Sequence, residues 1–230
     1  MGREIVLAFA ERGAHVAIAS RKLENCLALA DHVEATYRVR ALAVACNVSY
    51  WDQCGELVEA VYDEFGRLDI LVNNAGLSPV YPSLEELSES LFDKTIAVNL
   101  KGPFRLAVLV GNRMAASSGG SIINVGSVEA IRPHDRALPY GAAKAGLSVI
   151  SEGLARAFAP TVRVNTVQPG PFLTDIAANW ADGVRKEAEE AVALGRCGEP
   201  SEIVGAVLFL ATLASSYVTG AVLRVDGGWR

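Results

Sequence analysis

The segment LDILVNNAG, residues 68–76, decides the fold, because an apolar run in it ends in a polar turn. The first half is short and apolar, which predicts a buried β-strand. The second half, NNAG at 73–76, has the asparagines and the glycine that favour turns. A short apolar strand of this kind is typical of a parallel sheet that helices cover on both faces. The segment therefore predicts an α/β fold.

Strands and helices alternate along the rest of the chain. Six strands are predicted, at 15–20, within 38–48, and at 68–76, 121–128, 161–170 and 220–228. Helices are predicted at 1–11, 22–37, 51–66, 84–116, 138–159, 173–193 and 200–213. This alternation predicts a three-layer, doubly wound, Rossmann-like parallel sheet. No repeat or linker divides the chain, so residues 1–230 are predicted to form a single domain.

The composition narrows the class of protein. Of the 230 residues, 51% are hydrophobic and 20% are charged, which favours a folded chain with a large core. The net charge of -5 argues against nucleic acid or an anionic membrane as a partner. No apolar run reaches the roughly 20 residues that span a bilayer, and no signal sequence is evident. We therefore predict a cytoplasmic protein.

The four cysteines are Cys26, Cys46, Cys54 and Cys197, and they form no CxxC pair. Such scattered positions argue against a metal site, and none is predicted. Reduced cysteines in the core of a cytosolic protein are the simpler interpretation.

In a doubly wound sheet, ligands bind at the carboxyl ends of the strands, near the point where the strand order reverses. The polar residues that follow each predicted strand are therefore candidates for a binding site. They are Ser20, Arg21, Lys22, Asn47, Asn73, Asn74, Ala75, Gly76, Ser127, Pro169, Gly170 and Thr174.

The segment SVEAIRPHDRALPYGAAK, residues 127–144, carries the clearest chemistry, in Ser127, Tyr140 and Lys144. Tyr140 and Lys144 are four residues apart on a predicted helix, so their side chains project from one face. A free tyrosine has a pKa of about 10, and a nearby ammonium lowers the pKa of a phenol. Tyr140 could then exchange a proton with a carbonyl or carbinol oxygen that Ser127 holds by a hydrogen bond. Taken alone, a YxxxK pair is common on the surfaces of helices.

The ordered set of motifs resembles the short-chain dehydrogenase/reductase family in its compact single-domain form. The motifs are NNAG at 73–76, Asn99, Ser127 thirteen residues before Tyr140, YGAAK at 140–144, NTVQPGPFLT at 165–174 and the segment 195–228. They stand in the family's order and spacing and cover essentially the whole chain. Such a set is far more specific than any one motif.

The resemblance implies hydride transfer between a nicotinamide cofactor and a small carbonyl or alcohol substrate. It implies that Tyr140 is the general acid/base, that Ser127 orients the substrate oxygen, and that Lys144 holds the nicotinamide ribose and lowers the pKa of Tyr140. Asn99 is expected to position a water that relays protons from Lys144. The further residues expected at the cofactor are Asn47, Val48, Asn74, Ala75, Gly76, Pro169, Gly170, Phe172 and Thr174. The resemblance also implies a substrate lid at 173–193 and a homo-oligomer, either a tetramer or a dimer.

The end of the first predicted strand bears on the choice of cofactor. A carboxylate at this place would bind the adenosine ribose and repel a 2′-phosphate. The chain has Ser20, Arg21 and Lys22 there, and no acidic residue before Glu24. Because arginine clamps phosphate with two hydrogen bonds, we predict NADP(H) over NAD(H). The alternative is that Arg21 and Lys22 are only solvated residues at the start of a helix. Asn47 stands where the family usually has an aspartate, and its amide oxygen can still accept a hydrogen bond from adenine.

The chain begins with MGREIVLAFAERGAHVAIAS, which predicts a helix followed by a strand. The family begins with a strand and a glycine-rich turn of the form TGxxxGxG, and Gly2 aligns with the last glycine of that turn. The resemblance thus implies that a central strand and most of the turn are missing, which leaves two strands with unpaired inner edges. We expect this chain to bind cofactor poorly and to be marginally stable, with Met1 an internal methionine of a longer, active enzyme.

Two classes of function follow from these observations. The first is an NADP-dependent reductase or dehydrogenase, acting on a 3-oxoacyl carrier substrate or on a sugar, polyol or steroid-like alcohol. The alternative is a scaffold or interaction protein that keeps the fold but has lost cofactor binding. The missing turn favours the scaffold, whereas the intact Asn99, Ser127, Tyr140 and Lys144 favour the enzyme.

Overall fold

The computed structural model describes residues 1–79, 81–174, 177, 180 and 183–229. Strands and helices alternate along these residues, which confirms the Rossmann-like α/β class. The strands are β1 (Val16–Ser20), β2 (Ala41–Ala45), β3 (Ile70–Asn73), β4 (Gly120–Val125), β5 (Val162–Pro169) and β6 (Val222–Val225). The α-helices are α1 (Gly2–Glu11), α2 (Leu23–Tyr37), α3 (Trp51–Phe65), α4 (Glu89–Ile96), α5 (Gly102–Ala115), α6 (Leu138–Ala157), α7 (Val184–Glu190) and α8 (Val204–Ala211).

The described strands form two parallel sheets. β1 pairs with β2, while β3, β4, β5 and β6 follow one another in a four-stranded sheet. The pairing of β4 with β5 runs from Gly120 opposite Val162 to Val125 opposite Val167. β1 and β3 are not paired with each other, so within the described chain each has one edge without a strand beside it. The sequence predicts two strands with unpaired inner edges, and in the structure these strands are β1 and β3.

Helices cover both faces of the sheet, because successive residues of a strand point in opposite directions. On one face Ile122 of β4 packs into a core with α3, α5 and α6. On the other face its neighbour Ile123 packs with α1 and α8. A third cluster joins α1 and α2 to β1. The predicted three layers are therefore present.

The single long helix predicted at 84–116 is divided into two. A π-helical turn at Ala97–Lys101 separates α4 from α5, and α4 begins only at Glu89. A π-helical turn contains one residue more than an α-helical turn, and the spacing of hydrophobic residues does not reveal this extra residue. The prediction therefore missed the break. Such π turns occur often at functional sites, and this one contains Asn99.

The predicted lid at 173–193 contains α7. Residues 175, 176, 178, 179, 181 and 182 of that prediction lie outside the described residues. The helix predicted at 200–213 begins as a 3-10 turn at Pro200–Ile203 and continues as α8.

The sequence predicts reduced cysteines in the core and no segment that spans a membrane. All four cysteines are buried and carry free thiols, as predicted. Across the described ranges, no helix is long and apolar enough to cross a membrane.

Candidate active site

A large cavity runs along the carboxyl ends of the strands. Its volume is about 2460 Å³, which exceeds the roughly 300–1,000 Å³ of most small-molecule sites. Part of this volume belongs to the space between β1 and β3, where Val16, Ile18, Ile70 and Val72 line it. Tyr140 also lines it. The cavity therefore joins the unpaired strand edges to the predicted catalytic residues.

Most of the residues predicted for the site line this cavity. They are Gly2, Ser20, Arg21, Asn47, Val48, Asn74, Ala75, Gly76, Ser127, Tyr140, Lys144, Pro169, Gly170, Phe172 and Thr174. Two predicted residues are not part of the lining. Lys22 is the exposed N-cap of α2, and Asn99 is completely buried beneath the cavity wall.

The side chain of Ser127 lies next to the phenol of Tyr140. The Ser127 carbonyl accepts a hydrogen bond from Gln168 Nε2 of β5 at 2.8 Å. The Ser127 hydroxyl also accepts one from the Glu129 backbone N–H at 3.2 Å. Tyr140 lies in the first turn of α6, where Pro139 is favourable because its fixed φ suits a helix start. The ends of β4, β5 and α6 thus fix both hydroxyl groups.

The pKa of Tyr140 is raised above its usual value, opposite to the direction predicted from the sequence. Burial is the largest cause, because it disfavours the phenolate. The Ser127 side chain lowers the pKa of Tyr140, and the charge of Glu129 raises it. Lys144, which the sequence predicts to lower this pKa, lies over the ring, with Nζ 5.7 Å from the ring centroid. The phenol is therefore neutral at neutral pH and able to donate a proton.

Lys144 is almost completely buried, with 2% of its surface exposed. Its Nζ donates a hydrogen bond to the Val125 carbonyl at 2.7 Å. Burial lowers the pKa of Lys144 to about 8 from the usual 10.5, so the side chain is still mainly an ammonium at pH 7. A Cβ added to Gly76 would lie 3.8 Å from Nζ, which places the ammonium beneath the NNAG turn.

The π-helical turn positions Asn99. Its Nδ2 donates to the Thr95 carbonyl at 2.8 Å and to the Leu77 carbonyl at 2.7 Å. Its Oδ1 accepts from the Leu77 N–H at 3.1 Å and would lie 3.3 Å from a Cβ added to Gly76. Asn99 therefore holds the turn after β3, and it approaches the same glycine as Lys144. This contact with the backbone is a role that the sequence did not predict for Asn99.

A buried hydrogen-bond network supports the site from below. Asn73 Nδ2 donates to Asn124 Oδ1 at 2.8 Å, and Asn124 Nδ2 donates to Ser151 Oγ at 2.8 Å. Thr166 Oγ1 donates to the same serine oxygen at 3.0 Å. These four buried side chains connect β3, β4, β5 and α6. The sequence predicts no role for the network, and its signal is the polar residues within largely apolar strands.

Comparison with known proteins identifies the family. A family model described as enoyl-(acyl carrier protein) reductase matches residues 1–230. D-threitol dehydrogenase from Mycolicibacterium smegmatis is 37% identical over 231 residues, which cover 100% of this chain and 88% of that protein. The chain belongs to the short-chain dehydrogenase/reductase family.

Two further short-chain dehydrogenase/reductases show the same relationship. The 3-oxoacyl-(acyl-carrier-protein) reductase from Thermotoga maritima is 37% identical over 229 residues, covering 99% of this chain and 92% of that protein. The crystal structure of NADPH-dependent 3-quinuclidinone reductase from Rhodotorula rubra has a TM-score of 0.89 at 31% identity, covering 98% of this chain and 85% of that one. The chain is therefore an NAD(P)-dependent oxidoreductase of this family, and the scaffold alternative is not favoured.

The cavity fits the dinucleotide that short-chain dehydrogenase/reductases bind, which supplies or accepts the hydride. The first turn of α1, Gly2 to Glu4, lines the cavity, and helix N-termini suit a pyrophosphate. A Cβ added to Gly2 would lie 2.7 Å from Asn74 Nδ2, so a larger residue would displace the Asn74 side chain. Arg21 adds a cation at the end of β1.

The cavity wall beside Tyr140 carries an acidic group that the sequence analysis does not single out. Glu129 Oε1 lies 2.7 Å from His134 Nδ1, and Glu129 Oε2 accepts from the His134 backbone N–H at 2.9 Å. The imidazole meets Trp229 edge-on, with 6.0 Å between ring centroids. The sequence could have indicated Glu129 by its position, because Glu129 follows Ser127 by two residues at the same sheet edge.

Replacing Glu129 with glutamine is expected to lower the pKa of Tyr140, because the charge of Glu129 helps to raise it. In alcohol oxidation the rise of kcat/KM with pH should then occur at lower pH. Glu187→Gln is the matched control, since Glu187 lines the same cavity but is not a cause of the Tyr140 shift. pH–rate profiles of the two variants and the unchanged chain check this. Coinciding profiles for Glu129→Gln and the unchanged chain would contradict it.

Proposed function

We propose that this chain is an NADP(H)-preferring carbonyl reductase or alcohol dehydrogenase in which Tyr140 is the general acid/base. One observation carries the proposal. Ser127 and Tyr140 line the cavity together, and the buried ammonium of Lys144 lies 5.7 Å from the centroid of the tyrosine ring. A neutral phenol, an orienting hydroxyl and a nearby cation together suit proton transfer to a carbonyl oxygen.

Each residue has a separate task in this proposal. In reduction, Tyr140 gives its proton to the substrate oxygen while the Ser127 hydroxyl holds that oxygen in place. The phenolate that remains is stabilised by the Lys144 ammonium, whose Nζ is 5.7 Å from the ring centroid. A lysine with a pKa of about 8 can then return a proton to Tyr140. We assign Asn99 the positioning of the water that resupplies Lys144, because both side chains approach Gly76. In oxidation the protons move the opposite way.

We assign NADP(H) rather than NAD(H) from the charge at the end of β1. Arg21 lines the cavity and forms no ion pair with any other described residue. Ser20 Oγ accepts from the Lys22 N–H at 3.3 Å and donates to the Lys22 carbonyl at 3.1 Å. Ser20 therefore shapes the turn that presents Arg21, while Lys22 adds charge from outside the lining. No carboxylate follows β1 directly to repel a 2′-phosphate.

The adenine end of the proposed site lies at Asn47 and Val48. Asn47 Oδ1 accepts from the Ser49 N–H at 3.2 Å and from Ser49 Oγ at 2.8 Å. Since an amide oxygen has two lone pairs, an adenine amino group would have to replace one of these bonds. Asn47 is thus a weaker adenine acceptor than its place in the sequence indicates.

Replacing Arg21 with alanine is expected to weaken NADPH binding by about 10- to 100-fold and to leave NADH binding nearly unchanged. The reason is the loss of charge-assisted hydrogen bonds to a 2′-phosphate that NADH lacks. Fluorescence titrations with NADPH and NADH measure both affinities. The control is Arg12→Ala, because Arg12 is an exposed arginine at the far end of α1 that pairs with Glu11.

An unchanged preference in the Arg21 variant, or tighter binding of NADH by the unchanged chain, would contradict the NADP(H) assignment. The ratio of the NADPH affinity to the NADH affinity tests this assignment, however strong or weak each affinity is. The NADPH affinity itself tests the separate expectation that a missing strand weakens cofactor binding. Micromolar binding of NADPH by the 230-residue chain would contradict that expectation.

We propose that residues 1–230 act as one cofactor-binding and catalytic domain, with 173–193 as its substrate lid. Trp180, Val184 and Ala188 line the cavity, which supports this role. The names of the relatives include a polyol dehydrogenase and a 3-oxoacyl reductase. The proposed substrate is accordingly a small carbonyl or alcohol compound, to be sought among polyols and 3-oxoacyl thioesters.

A homo-oligomer, either a tetramer or a dimer, is also part of this proposal. Apolar side chains are exposed on and near α6, α8 and β6, including Val149 at 72%, Leu213 at 87% and Tyr217 at 103%. Packing against another copy of the chain would remove this surface from water. We place the protein in the cytoplasm, because four free thiols suit a reducing compartment.

A further inference from the structure

A cluster of three side chains lines the cavity beside the residues proposed for proton transfer. The three are Glu129, His134 and Trp229, and together they form the Glu129 wall. The Glu129 backbone N–H donates to the Ser127 hydroxyl at 3.2 Å. A Cβ added to Gly141, the residue after Tyr140, would lie 2.7 Å from the Glu129 carbonyl oxygen. The wall therefore adjoins the place where a substrate oxygen would meet Ser127 and Tyr140.

The Glu129 carboxylate is held in place and can still accept further hydrogen bonds. Its side chain is only 17% exposed. His134 binds both of its oxygens, through Nδ1 at 2.7 Å and through the backbone N–H at 2.9 Å. A carboxylate has about four acceptor sites, so about two stay open to a ligand in the cavity. Because His134 already fixes the carboxylate, a ligand would bind it without the usual loss of side-chain freedom.

The imidazole and the indole complete the wall. When Nδ1 of His134 donates to Glu129, the neutral ring keeps Nε2 as an acceptor, and Nε2 has no hydrogen bond to another described residue. Trp229 meets this ring edge-on, with 6.0 Å between the centroids. The Trp229 carbonyl accepts from Arg132 at 3.4 Å and from Arg224 at 3.3 Å, which holds the indole at the cavity. The wall thus presents hydrogen-bond acceptors next to an apolar ring.

The charges around the wall favour an uncharged ligand. Arg132 and Arg136 line the cavity, and neither forms an ion pair with another described residue. These two cations repel an ammonium group that approaches the carboxylate. Asp135 and Glu187 also line the cavity and, together with Glu129, repel an acidic ligand. A hydroxyl group is uncharged and donates a hydrogen bond, so it suits a carboxylate among mixed charges.

We propose that the Glu129 wall binds a second hydroxyl of the substrate and thereby selects polyols and hydroxyketones over 3-oxoacyl thioesters and simple ketones. The inference rests on the proposed function, which puts the reacting oxygen at Ser127 and Tyr140. A hydroxyl that donates to a carboxylate forms a charge-assisted hydrogen bond, which is roughly twice as strong as a neutral one. The carbon skeleton of the substrate would pack against the ring of Trp229.

The same carboxylate disfavours the two other classes of substrate. A 3-oxoacyl thioester carries a second carbonyl oxygen, which only accepts hydrogen bonds and would face the acceptor oxygens of Glu129. A simple ketone has no second polar group, so it would cover the carboxylate without replacing the hydrogen bonds that water makes. A site built to bind a hydroxyl rejects an analogue without one because its own polar group is then left unpaired.

The test compares 1-hydroxy-2-butanone with methoxyacetone in reduction by NADPH. These ketones are isomers that both carry an oxygen next to the carbonyl group, but only the first can donate a hydrogen bond from it. We expect kcat/KM of the 230-residue chain to be about 10- to 100-fold higher for the hydroxyketone. In Glu129→Ala the two values should lie within about threefold of each other, because the charged acceptor is gone. Glu129→Gln should keep part of the preference, since its amide oxygen still accepts.

The ratio of the two kcat/KM values separates binding by Glu129 from its effect on Tyr140. A change of charge near Tyr140 alters the proton transfer to both ketones alike, so it cancels in the ratio. Glu187→Gln is the matched control, because Glu187 lines the same cavity on α7 and should leave the preference unchanged.

A second measurement detects binding without turnover. NADPH and butane-1,2-diol cannot react with each other, so saturation-transfer NMR of both with the chain reports contact with the diol alone. We expect a signal from the diol that Glu129→Ala loses and Glu187→Gln keeps. Absence of turnover with every ketone, combined with this Glu129-dependent signal, would count against the proposed function and leave the hydroxyl site standing.

Three results would overturn the inference. The first is an equal kcat/KM for the two isomers in the unchanged chain, and the second is a preference that survives in Glu129→Ala. The third is a higher kcat/KM for aminoacetone than for hydroxyacetone, which would mean that the carboxylate binds an ammonium group instead of a hydroxyl.

Discussion

Replacing Tyr140 with phenylalanine should lower kcat by about a thousandfold and leave the affinity for NADPH within about threefold. The variant keeps the aromatic ring over which Lys144 lies and removes only the hydroxyl next to Ser127. Positioned acids and bases contribute roughly 10²- to 10⁴-fold to a rate, so the loss should fall on turnover. NADPH oxidation with a panel of ketones and 3-oxoacyl thioesters, and NADP⁺ reduction with polyols, measure turnover.

The control for this experiment is Tyr217→Phe. Tyr217 is completely exposed and does not line the cavity, so its loss should change neither turnover nor binding. A Tyr140→Phe variant with nearly full turnover on a substrate of the unchanged chain would remove Tyr140 from the chemistry. Equal losses of turnover and of NADPH affinity would mean that the hydroxyl shapes the site rather than transfers a proton.

Replacing Lys144 with methionine should abolish turnover and yet raise the free energy of unfolding at pH 7 by about 1–2 kcal/mol. Burial lowers the pKa of Lys144 from 10.5 to about 8, which corresponds to a destabilisation of roughly 3 kcal/mol. The variant also loses the hydrogen bond to the Val125 carbonyl, which costs about 1–2 kcal/mol. The net gain in stability arises because burying the ammonium costs more free energy than its hydrogen bond contributes.

The stability of the unchanged chain should therefore depend on pH through Lys144. Below a pH of about 8 the lysine is protonated in the folded and unfolded states, and the full destabilisation is present. Between about pH 8 and 10.5 the folded protein loses a proton that the unfolded chain keeps, so the free energy of unfolding rises with pH. Denaturant titrations across this window measure the rise.

Two variants isolate the contribution of the lysine. Lys144→Met should lack the rise with pH, whereas Tyr140→Phe, which keeps the ammonium, should show it. The same slope in all three proteins would assign the pH dependence to other groups. A lower stability of Lys144→Met at pH 7 would show that the bond to Val125 outweighs the burial of the charge.

The fold could be predicted because its signals are local. The apolar run before Asn73 forms β3, and the spacing of Tyr140 and Lys144 places both on α6. A strand and a helix each depend on neighbouring residues and their period, which one chain segment contains. The resemblance to the family added the order of the motifs, and the comparisons confirmed that family.

The details of the site could not be predicted in the same way. The sequence placed Lys144 four residues from Tyr140 and predicted a lowered pKa for the phenol, but burial outweighs that charge and raises it. The sequence placed Lys22 with Arg21, but only Arg21 lines the cavity. Asn99 was predicted in an ordinary helix and lies instead in a π turn. Each of these outcomes depends on how far a side chain is from water or from a distant segment.

The sequence by itself determined the alternating strands and helices, the family, and the candidate residues for the chemistry. Tertiary structure alone decided that burial raises the pKa of Tyr140, that Glu129 acts on Tyr140, and that Asn99 holds the turn after β3. The physical reason is the range of the interactions. Periodicity and turn preferences act over a few residues, whereas desolvation, charge and hydrogen bonding depend on neighbours that only packing brings together.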